Sequence, residues 1–565
     1  MSSKANDSAD LMVSAASGGT ILTMNDLMPT AKSIAVKDGK IVAIGDDDAD
    51  IALRLSGSST KVVTLRDDET LMPGLIEPHT HPSVAVEVRT SHSVSGFSHS
   101  SLDDVLAVMR DVVARVDSAA HDDKTTPTQW ISFVDWDAAL VRDLPAIDAD
   151  WIDANVTAKY PVMVVQKTMH CSWINRRGLD ACGITSETPD PDDGGEIVRD
   201  ANGKPTGMLK GGPAMRLAVD KIPPPDLAKV TEALFSTMID YSRAGFTTVT
   251  DMGTLPIKDD YLALISGAAR RDDFPVRWAI YYTPKSLKKP SPHHAVDDKV
   301  WFPGVKIWAD GSPYVGTMAC AEPYLDSALT RALGFDLKKC PRGSTRYADA
   351  NALADALRPH AAELIASHAQ GERAIDHVLD AYEILIGERP GCDHRYRLEH
   401  LGLITESQLR RASRLGVTVT FFTDHIYYYG DALADDILGR GRAERFAPAG
   451  LASRCGQTHW TLHQDSPVCP LDPMLCIQNA VLRRTRLSGR VLGPEYRVSV
   501  EDALKAYTIH AAWQLKREND LGSLEVGKVA DFVLLSKNPL NVEPEDLTSV
   551  KVLGTYLGGR CFTAK

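Results

Sequence analysis

The sequence predicts an α/β fold: a (β/α)8 TIM-like barrel with an insert after its first strand, and a small β-sandwich domain built from both chain ends. Three observations lead to this prediction. Short apolar runs alternate with longer amphipathic stretches through the middle of the chain, β-type runs occur at both ends, and potential metal ligands stand where several apolar runs end. Such alternation is typical of βα units around a parallel sheet.

Eight candidate strands define the predicted barrel, which we place at residues 71–515. Each is a short run rich in β-branched, leucine or aromatic residues, and eight such units are the number that this class of barrel requires. The runs are LMPGLIEPH (71–79), FTTVTDM (246–252), PVRWAIYY (275–282), GVKIWAD (304–310), ELIASHA (363–369), YRLEHL (396–401), VTVTFF (417–422) and HWTLHQD (459–465).

The stretch between the first two candidate strands is too long for an ordinary βα connection. It contains a further apolar strand, KYPVMVVQ, and a loop rich in Asp, Gly and Pro, TPDPDDGGEIVRDANGKPTG. We therefore expect an inserted subdomain at residues 95–235 of the barrel.

Both ends of the chain have the composition of β structure. GGTILTM and TKVVTL are short β-branched runs near the start, and SIAVKDGKIVAIG contains two strands around Asp38-Gly39, a strong hairpin signal. Near the end of the chain, VADFVLLS and SVKVLGTYLGG are similar β-type runs. Because domain termini often lie close together, we expect residues 1–70 and 516–565 to form one composite β-sandwich domain.

Composition and charge exclude several classes of protein. The net charge of -13 argues against nucleic-acid binding, and the chain lacks a run of about 18 apolar residues that would span a membrane. The first residues, MSSKANDSADLMVSA, lack the basic and apolar regions of a signal peptide. Nine cysteines without a CxxC pair suggest reduced thiols. We therefore expect a cytoplasmic protein that binds neither nucleic acid nor membrane.

Potential metal ligands stand at or near the ends of five candidate strands, where barrel enzymes have their active sites. Alternate residues of a strand share a face, so His79 and His81 in PGLIEPHTHP point the same way. Each such residue alone is more often structural than a ligand, but five strands with this feature indicate a metal site. The candidates are His79, His81, Lys306, His368, His400 and Asp465.

Lys306 is unusual because it lies inside the apolar run GVKIWAD. Burying an unpaired ammonium group is unfavourable, so such a lysine must be paired, have a lowered pKa or be chemically modified. Asp465, in the apolar-flanked LHQDSPV, raises the same question.

Two groups of motifs occur in an order typical of one known family. DGKIVAIG, LMPGLIEPHTHP, YTIHAAWQL and GSLEVGKVADFVLLS resemble the flanking β domain and first barrel strand of the amidohydrolase superfamily. VKIWADGS, HAQGERAIDHVLDAYE, RLEHLGLI and QDSPVCPLDPM, with HCSWIN, GKPTGML and DHIYYYGD, resemble its amidohydrolase-3 branch, which includes N-substituted formamide deformylases. The resemblance spans nearly the whole chain.

The resemblance implies two metal-binding positions. His79 and His81 would bind the more buried metal together with Asp465, and His368 and His400 would hold the second, more exposed metal. Zinc is the ion that best suits imidazole and carboxylate ligands, with one or two per chain, although iron or manganese would also fit.

The resemblance also implies the chemistry of two side chains. Lys306 would be carbamylated by carbon dioxide, which turns a cation into an anionic ligand that bridges the metals. Asp465 would act as general base, taking a proton from the attacking metal-activated hydroxide and delivering it to the leaving nitrogen.

Three residues are candidates for substrate contact. His170 and Trp173 in MHCSWIN match a position that the branch places over the active site, with simple packing at the insert boundary as the alternative. His425 follows the seventh candidate strand and would line the pocket, unless its aromatic loop only packs on the barrel rim. Asp310 would support the metal ligands or form a turn.

One departure from the branch concerns charge. The branch often has an acidic residue shortly after PTGxL, where this chain has Lys210-Gly211-Gly212. If that acidic residue binds substrate in other members of the branch, this protein acts on a different substrate or on a substrate with a different charge.

The expected function is that of a metal-dependent hydrolase that cleaves an amide or formamide C–N bond of a small molecule. Ester or cyclic-amide hydrolysis uses the same kind of site, and so does a metal-dependent lyase or decarboxylase. A non-catalytic scaffold is the least favoured class, because all six ligand positions carry competent residues. Resembling enzymes commonly pair, so we expect a homodimer.

Overall fold

The computed structural model describes residues 8–15, 18–122, 129–191, 195–223, 226–253, 259–284 and 292–563. Its centre is a set of eight parallel strands that follow one another in chain order. They are β1 (Leu75–Thr80), β2 (Phe246–Met252), β3 (Arg277–Tyr281), β4 (Gly304–Trp308), β5 (Leu364–Ala369), β6 (Arg397–His400), β7 (Thr418–Phe421) and β8 (Thr461–Leu462). Each of the eight candidate runs contains one of these strands.

The parallel strands lie in two sheets. β1, β2 and β3 form one sheet, with the short strand Val300–Trp301 at its edge, and β4 to β8 form the other. A parallel bridge between Tyr282 and Val305 connects β3 to β4. The carboxyl ends of all eight strands therefore point to the same side of the molecule.

The first candidate strand is wrong in extent, because residues 71–79 contribute to two sheets. Thr70–Pro73 pairs with strands from the chain ends, and β1 begins at Leu75. Gly74 separates the two, and the side chain of Thr247 occupies the place that a Cβ at this position would take. The close approach of Thr247 therefore requires glycine at the junction.

The last candidate strand is also shorter than expected. Of residues 459–465, only Thr461 and Leu462 pair as a strand, with β7. Asp465 has a φ of 55°, in the left-handed region, so the backbone leaves the extended conformation before the run ends.

Helices cover the parallel strands on the outside. Glu372–Glu388 is representative: its buried residues, among them Ile375, Leu379 and Tyr382, recur at helical spacing and pack on the strands. The helices that follow the parallel strands are Pro82–Arg89, Asp259–Ala269, Ala350–Leu357, Glu372–Glu388, Glu406–Arg414, Asp424–Ala432 and Pro473–Leu482. The others are Asp48–Leu55, Leu102–Asp122, Ala149–Asn155, Arg176–Cys182, Gly212–Val219, Leu227–Arg243, Ala328–Ala332, Arg440–Glu444, Val500–Ala506 and Ile509–Gln514.

The segment between β1 and β2 contains a six-stranded sheet of its own. Its strands, in spatial order, are Glu196–Arg199, Pro205–Lys210, Cys171–Ile174, Val162–Gln166, Ile131–Trp136 and His92–Ser93. Its core is continuous with Tyr314 after β4 and Tyr429 after β7, so the insert lies over the carboxyl ends of the parallel strands. Part of the loop expected at 188–207, residues 192–194, lies outside the described residues.

The two chain ends share one sheet. Phe532–Leu535 pairs antiparallel with Thr70–Pro73, and the full order is Arg560–Thr563, Val552–Leu557, Phe532–Leu535, Thr70–Pro73, Thr20–Leu22 and Thr30–Ala31. A second sheet consists of Lys40–Gly45, Ser33–Lys37, Leu11–Ser14 and Lys61–Thr64. Side chains of both sheets, including Val13, Ile34 and Phe532, belong to one buried cluster.

Within the described segments, none of the helices combines the length and apolar character needed to cross a bilayer.

Candidate metal centre

Three predicted ligands meet where β1 and the segment after β8 come together. His79 is fully buried near the end of β1, and His81 follows two residues later. Asp465 Oδ1 lies 3.4 Å from His79 Nε2 and 3.2 Å from His81 Nε2. Although burial opposes its ionisation, the close approach of His81 and the nearby positive charge of Lys306 hold the pKa of Asp465 below its usual range.

Lys306 reaches the same place from β4. Its side chain is fully buried, and Nζ donates to His79 Nε2 at 3.1 Å. Burial lowers the pKa of Lys306 to about 8, against the opposing effect of the Glu399 and Asp465 charges. A pKa this close to neutrality leaves a fraction of the amine uncharged and nucleophilic.

His368 and His400 complete the predicted set from β5 and β6. Their ring centroids lie 4.3 Å apart, and the His400 ring is 4.6 Å from that of His79. His400 Nδ1 is 3.8 Å from Asp465 Oδ2. The structure therefore brings all six predicted ligands to one end of the parallel strands.

His463 joins this cluster, and sequence reasoning missed it. Its ring stacks on His79 at 4.5 Å, and its ligand atom lies within 4.8 Å of those of His79, His400 and Asp465. A signal was present in HWTLHQD, where a histidine precedes Asp465 by two residues, as His79 precedes His81. The same alternation argument would have placed both side chains on one face.

The cluster has the properties of a metal site. Both ring nitrogens of His400 and of His463, and Asp465 Oδ1, are buried and lack a hydrogen-bond partner among the described residues. Burial holds the pKa of His400 well below its usual range and lowers that of His463 to about 3, so both imidazoles are neutral. Unpartnered buried nitrogens are unfavourable, whereas neutral imidazoles with a carboxylate are typical ligands of zinc. The residues therefore fit a divalent transition metal.

A buried ion pair orients His79. Glu399 Oε2 accepts a hydrogen bond from His79 Nδ1 at 2.5 Å, and Arg397 Nε lies 2.8 Å from Glu399 Oε1. Arg397 also donates to Pro78 O at 3.0 Å. This arrangement fixes the tautomer of His79 and leaves its Nε2 lone pair directed at the cluster.

Replacing Glu399 with glutamine is expected to weaken metal binding about 10- to 100-fold, because the neutral amide holds the imidazole less firmly. Chelator competition on the purified protein measures the affinity, and circular dichroism checks the fold. Glu372→Gln is the matched control, since Glu372 is also buried but accepts from the backbone N–H of Ala321 instead. Unchanged affinity in a folded Glu399→Gln protein would contradict the orienting role.

A cavity of about 860 Å³ opens onto the cluster. Its floor includes His81, Lys306, His368, His400 and Asp465, and Arg216 and Leu217 of the insert helix Gly212–Val219 line one side. A smaller pocket of about 290 Å³, near His459 and Trp513, lies at the opposite ends of the strands. The larger cavity is therefore the candidate substrate site.

The three predicted substrate-contacting residues differ in position. His170 lines the cavity, with its ring centroid 5.5 Å from that of His368, and burial lowers its pKa to about 3. Trp173 is buried in the insert core and does not line the cavity, because its strand directs it inward. His425 is buried against Phe422 behind the cluster and likewise does not line the cavity.

Asp310 and Lys210 both form hydrogen bonds with backbone groups. The Asp310 carboxylate accepts the backbone N–H groups of Ala319, Gln370 and Gly371, and Oδ1 lies 3.5 Å from His368 Nε2. It therefore organises the loops beside His368. Lys210 Nζ donates to Gly334 O at 2.8 Å, so this lysine is held by the segment after β4.

Comparison with known proteins agrees with the fold. Protein LONG AFTER FAR-RED 3 of Arabidopsis thaliana is 28% identical over 569 residues, covering 98% of this chain and 91% of that protein. N-substituted formamide deformylase of Arthrobacter pascens is 26% identical over 562 residues, covering 97% of both chains. A metal-dependent hydrolase of Pyrococcus horikoshii OT3, itself uncharacterised, has the same fold, with a TM-score of 0.69, 20% identity and coverage of 95% of this chain and 99% of that chain.

The resemblance inferred from the motifs is confirmed at the level of the family. The sequence profile described as the Amidohydrolase family matches residues 67–562, which is most of the chain. This protein therefore belongs to the amidohydrolase family.

Proposed function

We propose that this protein is a metal-dependent hydrolase that cleaves a C–N bond of amide or formamide type in a small molecule. The observation that carries the proposal is the buried histidine and aspartate cluster on the floor of the cavity, with its unpartnered ligand atoms. Membership of the amidohydrolase family supports a hydrolase, and the formamide deformylase of Arthrobacter pascens supports the type of bond.

The proposed ligands are the six residues that the strands bring together, with His463 as a seventh candidate. When bound, a metal such as zinc would lower the pKa of water, polarise the substrate carbonyl and stabilise negative charge on its oxygen. The ligands are His79, His81, Lys306, His368, His400 and Asp465.

Lys306 and Asp465 have the two chemical roles. The uncharged amine of Lys306 would add to carbon dioxide and release a proton, which gives an anionic carbamate suited to bridge two metals. Asp465 would take a proton from the attacking water and deliver it to the leaving nitrogen, while a C–O bond forms and the C–N bond breaks. A base must be ionised, and the nearby His81 and Lys306 favour the ionised state of Asp465.

The same proposal includes a closed arrangement of the strands. His81 N donates to Ser466 O at 2.9 Å, and Thr80 Oγ1 donates to the same oxygen at 3.0 Å, across the space between β1 and β8. These bonds support closure of the eight strands as a (β/α)8 barrel. The cluster shared by the two sheets of the chain ends supports a β-sandwich.

An amine-release assay on the purified protein tests the activity. We expect turnover of one class among N-alkyl formamides, N-acyl amino acids and small cyclic amides after loading with zinc and bicarbonate, and its loss after chelation, because the residues of the cavity floor would lack their metal. Restored turnover after zinc is added back is the control. Turnover that persists after complete chelation would contradict the proposal, and release of carbon dioxide without a new amine would indicate a decarboxylase.

A further inference from the structure

Two arginines on the cavity wall have no ionic partner among the residues that the structure describes. Arg216 and Arg346 both line the cavity, and neither guanidinium makes a hydrogen bond or ion pair with another described residue. Buried arginines elsewhere in the chain do have such partners: Arg277 pairs with Asp531, for example. A guanidinium in a site for small molecules, with its donors free, is suited to bind an anion.

Arg346 is the one placed close to the metal centre. Its backbone N donates to Ala309 O at 2.8 Å, immediately beyond β4, which fixes its position beside the strand that carries Lys306. It lines the same cavity as His170 and His368. Arg346 therefore faces the same space as the residues of the cavity floor.

The surroundings of Arg346 differ from those of an ordinary surface arginine. The residue is exposed and lines the cavity, yet enough protein surrounds the guanidinium that desolvation lowers the pKa of Arg346. An ionic partner would offset that desolvation. The nearby Asp310 carboxylate does not serve as one, because backbone N–H groups occupy it.

Arg216 is a weaker candidate in the same cavity. It lies in the insert helix Gly212–Val219, and Asp220, one turn further on, also lines the cavity. Among the lining residues that the structure describes, Asp220 and Asp465 are the acidic ones, and Asp465 belongs to the metal centre. Asp220 therefore offers a carboxylate beside Arg216, whereas the Asp310 carboxyl near Arg346 accepts backbone N–H groups and makes no ion pair with Arg346 among the described residues.

We propose that Arg346 binds a carboxylate of the substrate, so that the substrate is an amide with a carboxylate near the scissile C–N bond, as in an N-acyl amino acid. This inference rests on the proposed hydrolase function. The planar guanidinium forms two parallel hydrogen bonds with a carboxylate, which would orient the amide over the floor of the cavity. Val84, Leu217, Trp308 and Val468 provide apolar surface for the acyl group or the amino-acid side chain.

A binding measurement that needs no turnover tests the carboxylate contact. The probes are 4-oxo-4-phenylbutanoate, a ketone that cannot be hydrolysed at an amide, and butyrophenone, which has a methyl group in place of the carboxylate. Calorimetric titration of the zinc-loaded full chain compares wild type, Arg346→Met and the control Arg216→Met. Because neither guanidinium has a partner within the described part of the chain, both variants are expected to unfold near the wild-type temperature.

Wild type is expected to bind the carboxylate probe at least about 10-fold more tightly than the neutral ketone, the size of effect typical of a hydrogen bond to a charged group. Arg346→Met should lose this preference, Arg346→Lys should restore part of it, and Arg216→Met should keep it. Equal or absent binding of the two probes by wild type overturns the proposal. So does a preference that survives in Arg346→Met, or one that both methionine variants lose equally.

Hydrolysis of hippurate and N-ethylbenzamide separates this inference from the proposed function. A preference for hippurate that Arg346→Met removes, with N-ethylbenzamide turnover unchanged, supports both. Turnover of both amides without such a preference overturns the role of Arg346 and leaves the hydrolase proposal standing. Selective binding of the carboxylate ketone with no turnover of any amide supports the Arg346 contact and contradicts the hydrolase.

Discussion

Replacement of Asp465 with asparagine is expected to lower kcat by at least about 10³-fold, within the range attributed to a positioned general base. Asparagine has nearly the same size, but its amide cannot take a proton and does not supply the negative charge that His79 and His81 approach. The comparison uses the best substrate of the amide panel, with metal content measured on the same samples. Thermal unfolding should show a folded protein.

Asp220→Asn is the matched control for this substitution. Asp220 lines the same cavity but is exposed and lies outside the metal cluster, so its replacement should change kcat by less than about tenfold. Wild-type turnover in Asp465→Asn, or equal losses in the two variants, would remove Asp465 from its proposed role.

Replacement of Lys306 with alanine should cause a loss of similar size, again at least about 10³-fold in turnover, together with loss of bound metal. The side chain is buried beside His79, so the variant removes both the proposed bridging carbamate and the hydrogen bond to His79 Nε2. The protein should still fold, because a desolvated ammonium group contributes little to stability. Metal analysis and the amide assay measure the effect.

Carbon-13 NMR after loading with labelled bicarbonate gives a readout that does not depend on turnover. A carbamate signal in the wild type should be absent from Lys306→Ala and present in Lys210→Ala. Lys210 is the matched control. It is also buried, but it donates to Gly334 O and lies outside the metal cluster. A signal that Lys306→Ala retains would assign the carbamate to another lysine.

Motifs and strand alternation were sufficient to predict much of this architecture. The eight apolar runs contain the eight parallel strands, and His79, His81, Lys306, His368, His400 and Asp465 meet at their carboxyl ends. Ligands at strand ends are predictable because parallel strands present those ends on one side of the sheet. The family that the motifs indicate also matches nearly the whole chain.

Other features depend on contacts that no local pattern contains. The run at 71–79 is continuous in hydrophobicity, and its division at Gly74 follows from Thr247, which is distant in sequence. Trp173 is next to the cavity-lining segment in sequence, but the alternation of its strand directs it into the insert core. No local pattern predicts that the guanidinium of Arg346 lacks an ion-pair partner among the described residues, because this depends on the positions of charges that are distant in sequence.

The junction at Gly74 has a consequence for the order in which the chain can fold. Thr70–Pro73 pairs with Phe532–Leu535. Only Gly74 separates Thr70–Pro73 from β1, the strand that carries His79. A ribosome delivers the first of these partners early and the second only near the end of synthesis. Until then the edge of Thr70–Pro73 stays open to other strands, so newly made protein passes through a stage in which the metal site is complete in sequence but the strand before β1 is not yet anchored.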